Sequence, residues 1–162
     1  MPSMTDPMNA LVQFQDAFEA GMIPVQSGRL DPDLLFAPDT PNGRPRFNYM
    51  RVEGDLLIAL VMFAQNGLED GYPVFNIGYA VPETHRGRGL AKSTLVSALA
   101  ELSAGLAGAR IPVLHVEAVI SPDNLGSQAV ARAIFDAAPT QITDSESGLP
   151  ALHYIRTVAC EG

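Results

Sequence analysis

A glycine-rich segment in the middle of the chain concentrates positive charge and is suited to binding an anion. Arg86, Arg88 and Lys92 are three of the ten basic residues, and they fall within seven positions around Gly87 and Gly89. Glycine allows the backbone to approach a ligand closely. A helix that begins near Gly89 would also direct unpaired N–H groups towards that ligand from the positive end of its dipole. These features predict a binding site for a phosphate group.

Two common nucleotide-binding patterns do not fit this segment. A P-loop requires G-x-x-x-x-G-K-[ST], but Lys92 follows Ala91, and Arg86 stands at the position of the first glycine. A Rossmann fingerprint requires G-x-G-x-x-G, but the pattern that starts at Gly87 ends in Lys92, and no βαβ unit precedes it. The predicted phosphate site therefore belongs to another class.

A strand before the glycine-rich segment and a helix after it must hold the segment in place. The strand is predicted over residues 74–81, and the helix over 89–106, where apolar residues recur every three or four positions. A nearly all-apolar strand follows at 113–120, and a second helix over 124–137 after its start at Ser-Pro-Asp. This alternation of strand and helix predicts that the two strands pair in parallel.

The first part of the chain predicts a helix, a loop and a hairpin. Apolar residues at helical spacing over residues 9–20, with glycine just beyond, indicate an amphipathic helix. Residues 27–45 are rich in Asp, Pro, Asn and Gly and predict a long loop or a pair of short turns. Two strands are predicted at 47–52 and 56–65, joined by Glu-Gly-Asp as hairpin turn.

A second hairpin and a last strand complete the predicted sheet. The turn of this hairpin is predicted at residues 66–71, leading into the strand at 74–81. The last strand is predicted at 152–159, after a polar and flexible segment at 140–150. A sheet that ends in open strands can pair with a second copy, so we expect a homodimer.

Composition indicates one domain held together by packing. The chain has 162 residues and 47% hydrophobic content, which suits a single core, so residues 1–162 are predicted to form one domain. Cys160 is the single cysteine and cannot form an intramolecular disulfide. The three histidines at 85, 115 and 153 are too far apart in sequence for an ordinary structural zinc site, and we expect no metal.

The charge balance argues against nucleic acid or an anionic membrane surface as a partner. The chain carries 10 basic and 18 acidic residues, a net charge of −8. It contains no uninterrupted apolar stretch of about 18 residues, and its first residues lack the positive and apolar regions of a signal peptide. We therefore expect a cytoplasmic protein, and the acidic balance mildly favours a cationic substrate.

Together, these residues resemble a known family. Arg86-x-x-Gly89-x-Ala91 matches the R/Q-x-x-G-x-G/A pattern of the GNAT superfamily of acyl-CoA-dependent N-acetyltransferases. The preceding strand looks like the fourth strand of that family, and the segment with Asn124 and Ser127, ~30 residues later, resembles its next strand-to-helix segment. The resemblance covers residues 46–137.

The resemblance implies an α/β (α+β) fold with a mixed, splayed central β-sheet flanked by helices. Its fourth and fifth strands would part around the pantetheine arm of acetyl-CoA, and a backbone N–H would stabilise the oxyanion. Backbone groups at 80 and 81 would meet the pantetheine, and residues 86–91 the pyrophosphate. The implied residues for binding acetyl-CoA are Ala80, Val81, Arg86, Gly87, Arg88, Gly89, Leu90, Ala91, Lys92, Asn124 and Ser127.

The family's usual acid is missing from this chain. Many members carry a tyrosine seven residues beyond the motif asparagine, where this chain has Ala131. Tyr79 and Tyr154, on predicted strands, are the candidate substitutes, although a buried strand tyrosine is more often part of the core. We take Tyr79 as the candidate acid, while noting that CoA thiolate is a tolerable leaving group without help.

The base is predicted from strand alternation. Period-two alternation over 113–120 places His115 and Glu117 on one face, away from the apolar residues of the other. Either residue could remove a proton from an amine, or be an ordinary hydrogen-bonded residue. Glu83 and His85 flank the glycine turn and are expected to face solvent.

The resemblance thus implies an acyltransferase that moves acetyl from acetyl-CoA, as co-substrate, to a primary amine by direct attack. The acceptor could be a small molecule or a protein. The missing helix tyrosine keeps open a non-catalytic acyl-CoA-binding or sensing module of the same fold. A third alternative is a phosphate- or nucleotide-binding domain unrelated to acetyl transfer.

Overall fold

The chain forms one mixed β-sheet with helices on both of its faces. The computed structural model describes residues 7–161. Its helices and strands, in chain order, are α1 (Pro7–Glu19), β1 (Gln26–Ser27), β2 (Leu35–Asp39), β3 (Arg46–Glu53), β4 (Leu56–Glu69), β5 (Tyr72–Ala80), α2 (Leu90–Gly108), β6 (Val113–Ile120), α3 (Leu125–Ile134), β7 (Thr140–Thr143) and β8 (Pro150–Ala159). Two short 3₁₀ helices lie at Pro41–Gly43 and Glu83–His85.

The eight strands are ordered β1-β2-β3-β4-β5-β6-β8-β7. Strands β5 and β6 are parallel and are connected through α2, whereas every other neighbouring pair is antiparallel. The predicted parallel pairing is therefore confirmed. Strands β5 and β6 are the two strands that the resemblance predicts to part.

Strands β5 and β6 part after only three paired positions. Their ladder runs from Val74 opposite His115 to Asn76 opposite Glu117 and stops there. On its outer side each strand stays paired: β5 with β4 as far as Ala80, and β6 with β8 as far as residue 120. The facing edges of residues 77–80 and 118–120 are thus without a strand partner. This V-shaped gap confirms the predicted splay.

Each face of the sheet carries its own hydrophobic cluster. Helices α2 and α3 pack on one face, where Leu95, Leu102 and Ile134 meet the buried residues of β4, β5 and β6. Helix α1 packs on the other face, where Leu11 meets buried residues of β3 and β4. Burial of these side chains supplies the main favourable free energy of folding. Both layers together fix the relative positions of β5, α2 and β6.

The segment between β1 and β2 is fastened to α2 by a buried carboxylate. Glu101 is 7% exposed and accepts backbone N–H groups from Arg29, Leu30 and Asp31 at 2.9 to 3.1 Å. Asp31 in turn pairs with Arg51 of β3 at 2.5 Å. The segment that the sequence predicts as irregular is therefore ordered by contacts that reach across the chain.

Several predicted boundaries need correction. Residues 27–45 are not only loop, since they contain β2, and the polar segment 140–150 contains β7. The predicted turn at 66–71 is shorter than expected: β4 continues through a bulge to Glu69, and the chain reverses at Asp70 and Gly71, with φ of 53° and 82°. Helix α3 ends at Ile134 rather than at residue 137. The helix and hairpin predictions for 9–20 and 47–65 are confirmed in type.

No helix within residues 7–161 is long and apolar enough to cross a membrane.

Candidate functional site

A cavity of about 600 Å³ opens where β5 and β6 part. It extends from the end of β5 along the glycine turn to the first turn of α2, and it also touches the first residues of α1 and α3. Its lining residues are Pro7, Met8, Tyr79, Ala80, Val81, His85, Arg86, Gly87, Gly89, Leu90, Ala91, Lys92, Asn124, Gly126, Ser127 and Val130. The residues predicted to bind a cofactor thus line one cavity, with the exception of Arg88.

The glycine turn directs the start of α2 into this cavity. Gly87 and Gly89 have φ of 79° and 72°, a left-handed conformation that strains other residues. A Cβ at either position would meet no atom within 4 Å, so conformation rather than space requires glycine here. Gly89 precedes the first helical residue, and no side chain caps the helix. The unpaired first-turn N–H groups of α2 therefore form a site suited to an anion.

The basic residues around the turn have different surroundings. The Arg86 guanidinium donates from Nε to the Val81 carbonyl at 3.0 Å, which ties the end of β5 to the turn. Lys92 lines the cavity within the first turn of α2. Arg88 is exposed and lies outside the lining. Positive charge at the cavity is therefore supplied by Arg86 and Lys92, together with the helix dipole.

Asn124 and Ser127 form the start of α3. Asn124 is the N-cap residue, and its Oδ1 accepts the Ser127 backbone N–H at 3.0 Å. An asparagine at this position satisfies one of the N–H groups that a helix leaves unpaired. Both residues line the cavity opposite the glycine turn. Asn124 therefore shapes the cavity wall through its capping role.

Tyr79 brings an unpaired hydroxyl to the gap. This hydroxyl is buried and makes no hydrogen bond of acceptable geometry. Burial raises the pKa of Tyr79, and the nearby Ser127 side chain offsets only part of that rise. The phenol therefore stays protonated at neutral pH, and the Ser127 side chain is its neighbouring polar group. Tyr154, the other candidate, is a core residue whose ring is tilted against that of Phe135, and it does not line the cavity.

His115 and Glu117 lie on one face of β6, as alternation predicts, but neither lines the cavity. His115 is buried between the Thr157 hydroxyl at 2.9 Å and the Glu69 carbonyl at 3.1 Å. Glu117 belongs to the last pair before the gap and lies on the face that carries α1. The structure thus brings Glu117 to the closed end of the gap and holds His115 farther back along β6.

His153 is a residue that the sequence analysis missed. Its Nε2 lies 3.0 Å from Glu117 Oε2, while Asn66 donates to Glu117 Oε1 at 3.1 Å. Because β8 pairs with β6 in antiparallel register, His153 comes opposite Val119 on the same face. A lone histidine in a predicted strand carries no signal of this contact, since the contact depends on the register of two strands far apart in sequence.

The expectation that His85 faces solvent is wrong. His85 is 8% exposed, its Nδ1 lies 2.8 Å from the Thr84 hydroxyl, and its ring lines the cavity. Its Nε2 lies 3.8 Å from the Glu53 carboxylate. The 3₁₀ helix at Glu83–His85 turns the imidazole inwards, while Glu83 itself is exposed as expected.

Among residues 7–161, no group of three or more His, Cys, Asp or Glu side chains could hold a metal ion.

No protein-family model and no curated protein sequence matches this chain. Solved structures match it in fold. RimL, a ribosomal L7/L12 α-N-protein acetyltransferase solved with coenzyme A, is 20% identical with a TM-score of 0.54, over 72% of this chain and 64% of that chain. The Salmonella typhimurium acetyltransferase that modifies the N-terminal serine of L7/L12 is 20% identical with a TM-score of 0.50, over 70% of this chain and 64% of that one.

A more distant structure shows the same arrangement. A GNAT-family acetyltransferase from Streptococcus pneumoniae is 8% identical with a TM-score of 0.51, over 70% of this chain and 66% of that chain. The chain described here therefore has the GNAT acetyltransferase fold, as the glycine motif predicted. It spans less than two thirds of the length of each of these proteins.

Proposed function

We propose that this protein is an N-acetyltransferase that moves acetyl from acetyl-CoA to a primary amine. The observation that carries the proposal is the gap between β5 and β6, which opens into a cavity that ends at the uncapped start of α2. An elongated ligand with amides at one end and phosphates at the other suits this shape. The GNAT fold of RimL, solved with coenzyme A, supports the same ligand.

The residues present fit the two ends of acetyl-CoA. Pantetheine carries amide groups that can pair with the free backbone edge of residues 77–80, as a further strand would. The pyrophosphate suits the first-turn N–H groups of α2, with Lys92 adding a positive charge. Asn124 and Ser127 would bound the ligand from the opposite wall.

The chemistry is acyl transfer, for which acetyl-CoA supplies a thioester whose C–S bond breaks as the amide bond forms. Tyr79 is placed to donate a proton to the departing sulfur, because its hydroxyl is protonated and makes no hydrogen bond of acceptable geometry. Glu117, at the closed end of the gap, would accept a proton from the amine, with His115 as the alternative base on the same face. A backbone N–H at the free edge of β5 would stabilise the oxyanion.

The acceptor is proposed to be a primary amine of a small molecule or a protein. RimL acts on a ribosomal protein, which supports a protein amine for the fold. We also propose that the protein acts in the cytoplasm and forms a homodimer, for which a monomeric mass by light scattering at high concentration would be the contrary result.

A thiol-release assay tests the enzyme proposal. The protein is incubated with acetyl-CoA and single amines, and free CoA is measured with a thiol reagent. We expect release that depends on the amine and that Tyr79→Phe slows without changing the affinity for acetyl-CoA. Tight binding of acetyl-CoA without transfer to any primary amine would instead favour a non-catalytic acyl-CoA sensor.

A further inference from the structure

Gly78, on the free edge of β5, has its side-chain space occupied by atoms of other elements. It lies within β5 in strand conformation, so the backbone itself does not require glycine here. A Cβ at this position would lie 3.3 Å from Met62 Cε and 3.7 Å from Pro7 Cγ. The first distance is tighter than an ordinary van der Waals contact. Glycine is therefore required at 78 by space, because Met62 and Pro7 come close to the backbone.

Met62 reaches Gly78 because the two residues are paired across strands. They stand directly opposite each other in the β4–β5 ladder, on the face of the sheet that carries α1. Met62 is 6% exposed, and its side chain ends in the methyl group beside Gly78. Pro7 begins α1 and lines the cavity. The Met62 methyl group and the Pro7 ring together close the α1 face of the gap at residue 78.

The proposed ligand would bring its acyl group to this point. With its phosphates at the start of α2 and its pantetheine along residues 77–80, its acyl end points towards the closed end of the gap at Asn76. The thioester would then lie beside residues 77 and 78. Beyond it, β5 and β6 are paired and leave no passage between them. The acyl group must therefore turn out of the sheet towards one of its two faces.

The α1 face has more room for an acyl group beside β5 than the opposite face. On the opposite face, Ile77 and Tyr79 fill the space with large side chains that pack against the cluster under α2 and α3. On the α1 face, Gly78 has no side chain and Ala80 carries a single methyl group. An acyl group that turns to this face passes over Gly78 and meets Met62 Cε.

We propose that Met62 limits the length of the acyl group, so that the site takes acetyl thioesters and rejects longer straight-chain acyl thioesters. This inference rests on the proposed acetyl transfer and names the residue that determines which acyl donor is used. Gly78 leaves space for the acetyl methyl group, and the Met62 methyl group stands where the next carbons of a longer chain would go. A mismatch of one methylene in an apolar pocket changes binding by about tenfold or more, since packed side chains must move to admit the extra group.

The acyl preference can be measured without an amine and without turnover. Isothermal titration calorimetry gives the dissociation constants of CoA, acetyl-CoA, propionyl-CoA and butyryl-CoA. The ratio of each acyl thioester to CoA isolates the contribution of the acyl group from that of the shared pantetheine and phosphates. We expect the parent chain to bind acetyl-CoA at least about tenfold more tightly than butyryl-CoA, with propionyl-CoA between them.

Three variants change the space over Gly78 in known directions. Met62→Leu keeps a similar volume but lacks the terminal methyl group, so it should fold and lower the preference for acetyl-CoA over propionyl-CoA to less than about threefold. Met62→Ala opens more space and should extend the same effect to butyryl-CoA. Gly78→Ala places a Cβ where the acetyl methyl group would lie, so acetyl-CoA should lose at least about tenfold in affinity relative to CoA.

Met50→Ala is the matched control for loosening of the core. Met50 is fully buried in the same cluster under α1, but it lies on β3 opposite Leu60, one strand farther from the gap. This variant truncates the same kind of side chain away from Gly78 and should leave the order and ratios of the four ligands unchanged. Thermal unfolding without ligand shows whether each variant is folded.

Three results would overturn the inference. These are equal affinity of the parent chain for acetyl-CoA and butyryl-CoA, an unchanged preference in the folded Met62 variants, or the same relaxed preference in Met50→Ala. If neither Met62 variant folds, Gly78→Ala decides, because an unchanged ratio of acetyl-CoA to CoA affinity there would equally contradict the role of this space. Failure of CoA itself to bind the parent chain would instead reject the proposed acetyl transfer, so the two failures are distinguishable.

Discussion

Gly89 allows the proposed phosphate site to be tested with two substitutions that differ only in charge. The residue precedes α2 with φ of 72°, and a Cβ there would meet no atom within 4 Å. Asparagine and aspartate both tolerate the left-handed conformation better than other residues. Gly89→Asn and Gly89→Asp should therefore fold with a similar strain of about 1 kcal/mol.

The two variants should differ sharply in affinity for CoA. The carboxylate of Gly89→Asp would stand about 6 Å from two phosphate charges at the start of α2, where each repels it by about 1.4 kcal/mol at an effective dielectric constant of about 40. The sum is about 3 kcal/mol, or roughly a 100-fold loss of affinity. Gly89→Asn should lose less than about tenfold, because it adds bulk without charge.

Isothermal titration calorimetry with CoA at two salt concentrations measures this difference. The difference in CoA affinity between the two variants should decrease at high salt, because exposed charges are screened. Thermal unfolding without ligand provides the control, since the aspartate should stabilise the helix start as well as the asparagine does. Equal CoA affinity in the two variants, with both folded without ligand, would refute the placement of phosphates at α2.

Three further predictions concern other parts of the molecule. Tyr79→Phe should raise the free energy of unfolding without ligand by about 1 kcal/mol in a urea titration, because it removes a buried hydroxyl that makes no hydrogen bond of acceptable geometry. A loss of stability would contradict this account of the hydroxyl. Glu101→Ala should lower the free energy of unfolding by about 3 kcal/mol, since three backbone N–H groups lose a charged acceptor but can be rehydrated in part. A loss below about 0.5 kcal/mol would contradict this role of Glu101. Arg51 lowers the pKa of Asp31, so this pair stabilises the fold above the ordinary pKa of aspartate and loses its effect as pH falls through the lowered value. Asp31→Asn should therefore reduce the fall in the free energy of unfolding as pH decreases below the ordinary pKa of aspartate. An unchanged fall would exclude the Asp31–Arg51 pair as its source.

The sequence predicted the part of the fold whose signals are local. Glycines at the turn and helical spacing after it located β5, α2, β6 and α3 in the right order. Parallel pairing and the splay also followed, the first from element order and the second from the resemblance. The phosphate end of the cavity could be predicted for the same reason, because the residues that form it are consecutive in the chain.

Strands at or next to the sheet edges escaped prediction because their composition resembles that of loops. Strand β2 contains Pro38 and ends in Asp39, which argue for a turn when the segment is considered alone. It is a strand because β3 supplies the hydrogen-bonding edge on one side, and only the two-residue β1 lies on the other. Strand β7 likewise depends on pairing with β8.

Contacts that depend on strand register could not be predicted from the sequence. The pairing of Glu117 with His153 requires a particular alignment of β6 with β8, and the bulge in β4 near Asn66 adds the third member. The inward turn of His85 depends on the 3₁₀ helix at Glu83–His85. The contacts of Glu117 have no local pattern, since they depend on segments that meet only in the folded chain.

The central claim is that the cavity between β5, α2 and α3 binds an acyl-CoA thioester, and a thermal-shift titration tests it most directly. The purified protein is titrated with acetyl-CoA and CoA, and with ATP and NAD as phosphate-bearing controls. At ~100 times its dissociation constant, a ligand adds about 2.7 kcal/mol of stability, so we expect a clear rise in Tm with the CoA ligands alone. No shift, or an equal shift with ATP, would contradict the account and leave the glycine turn as a general phosphate-binding or packing feature.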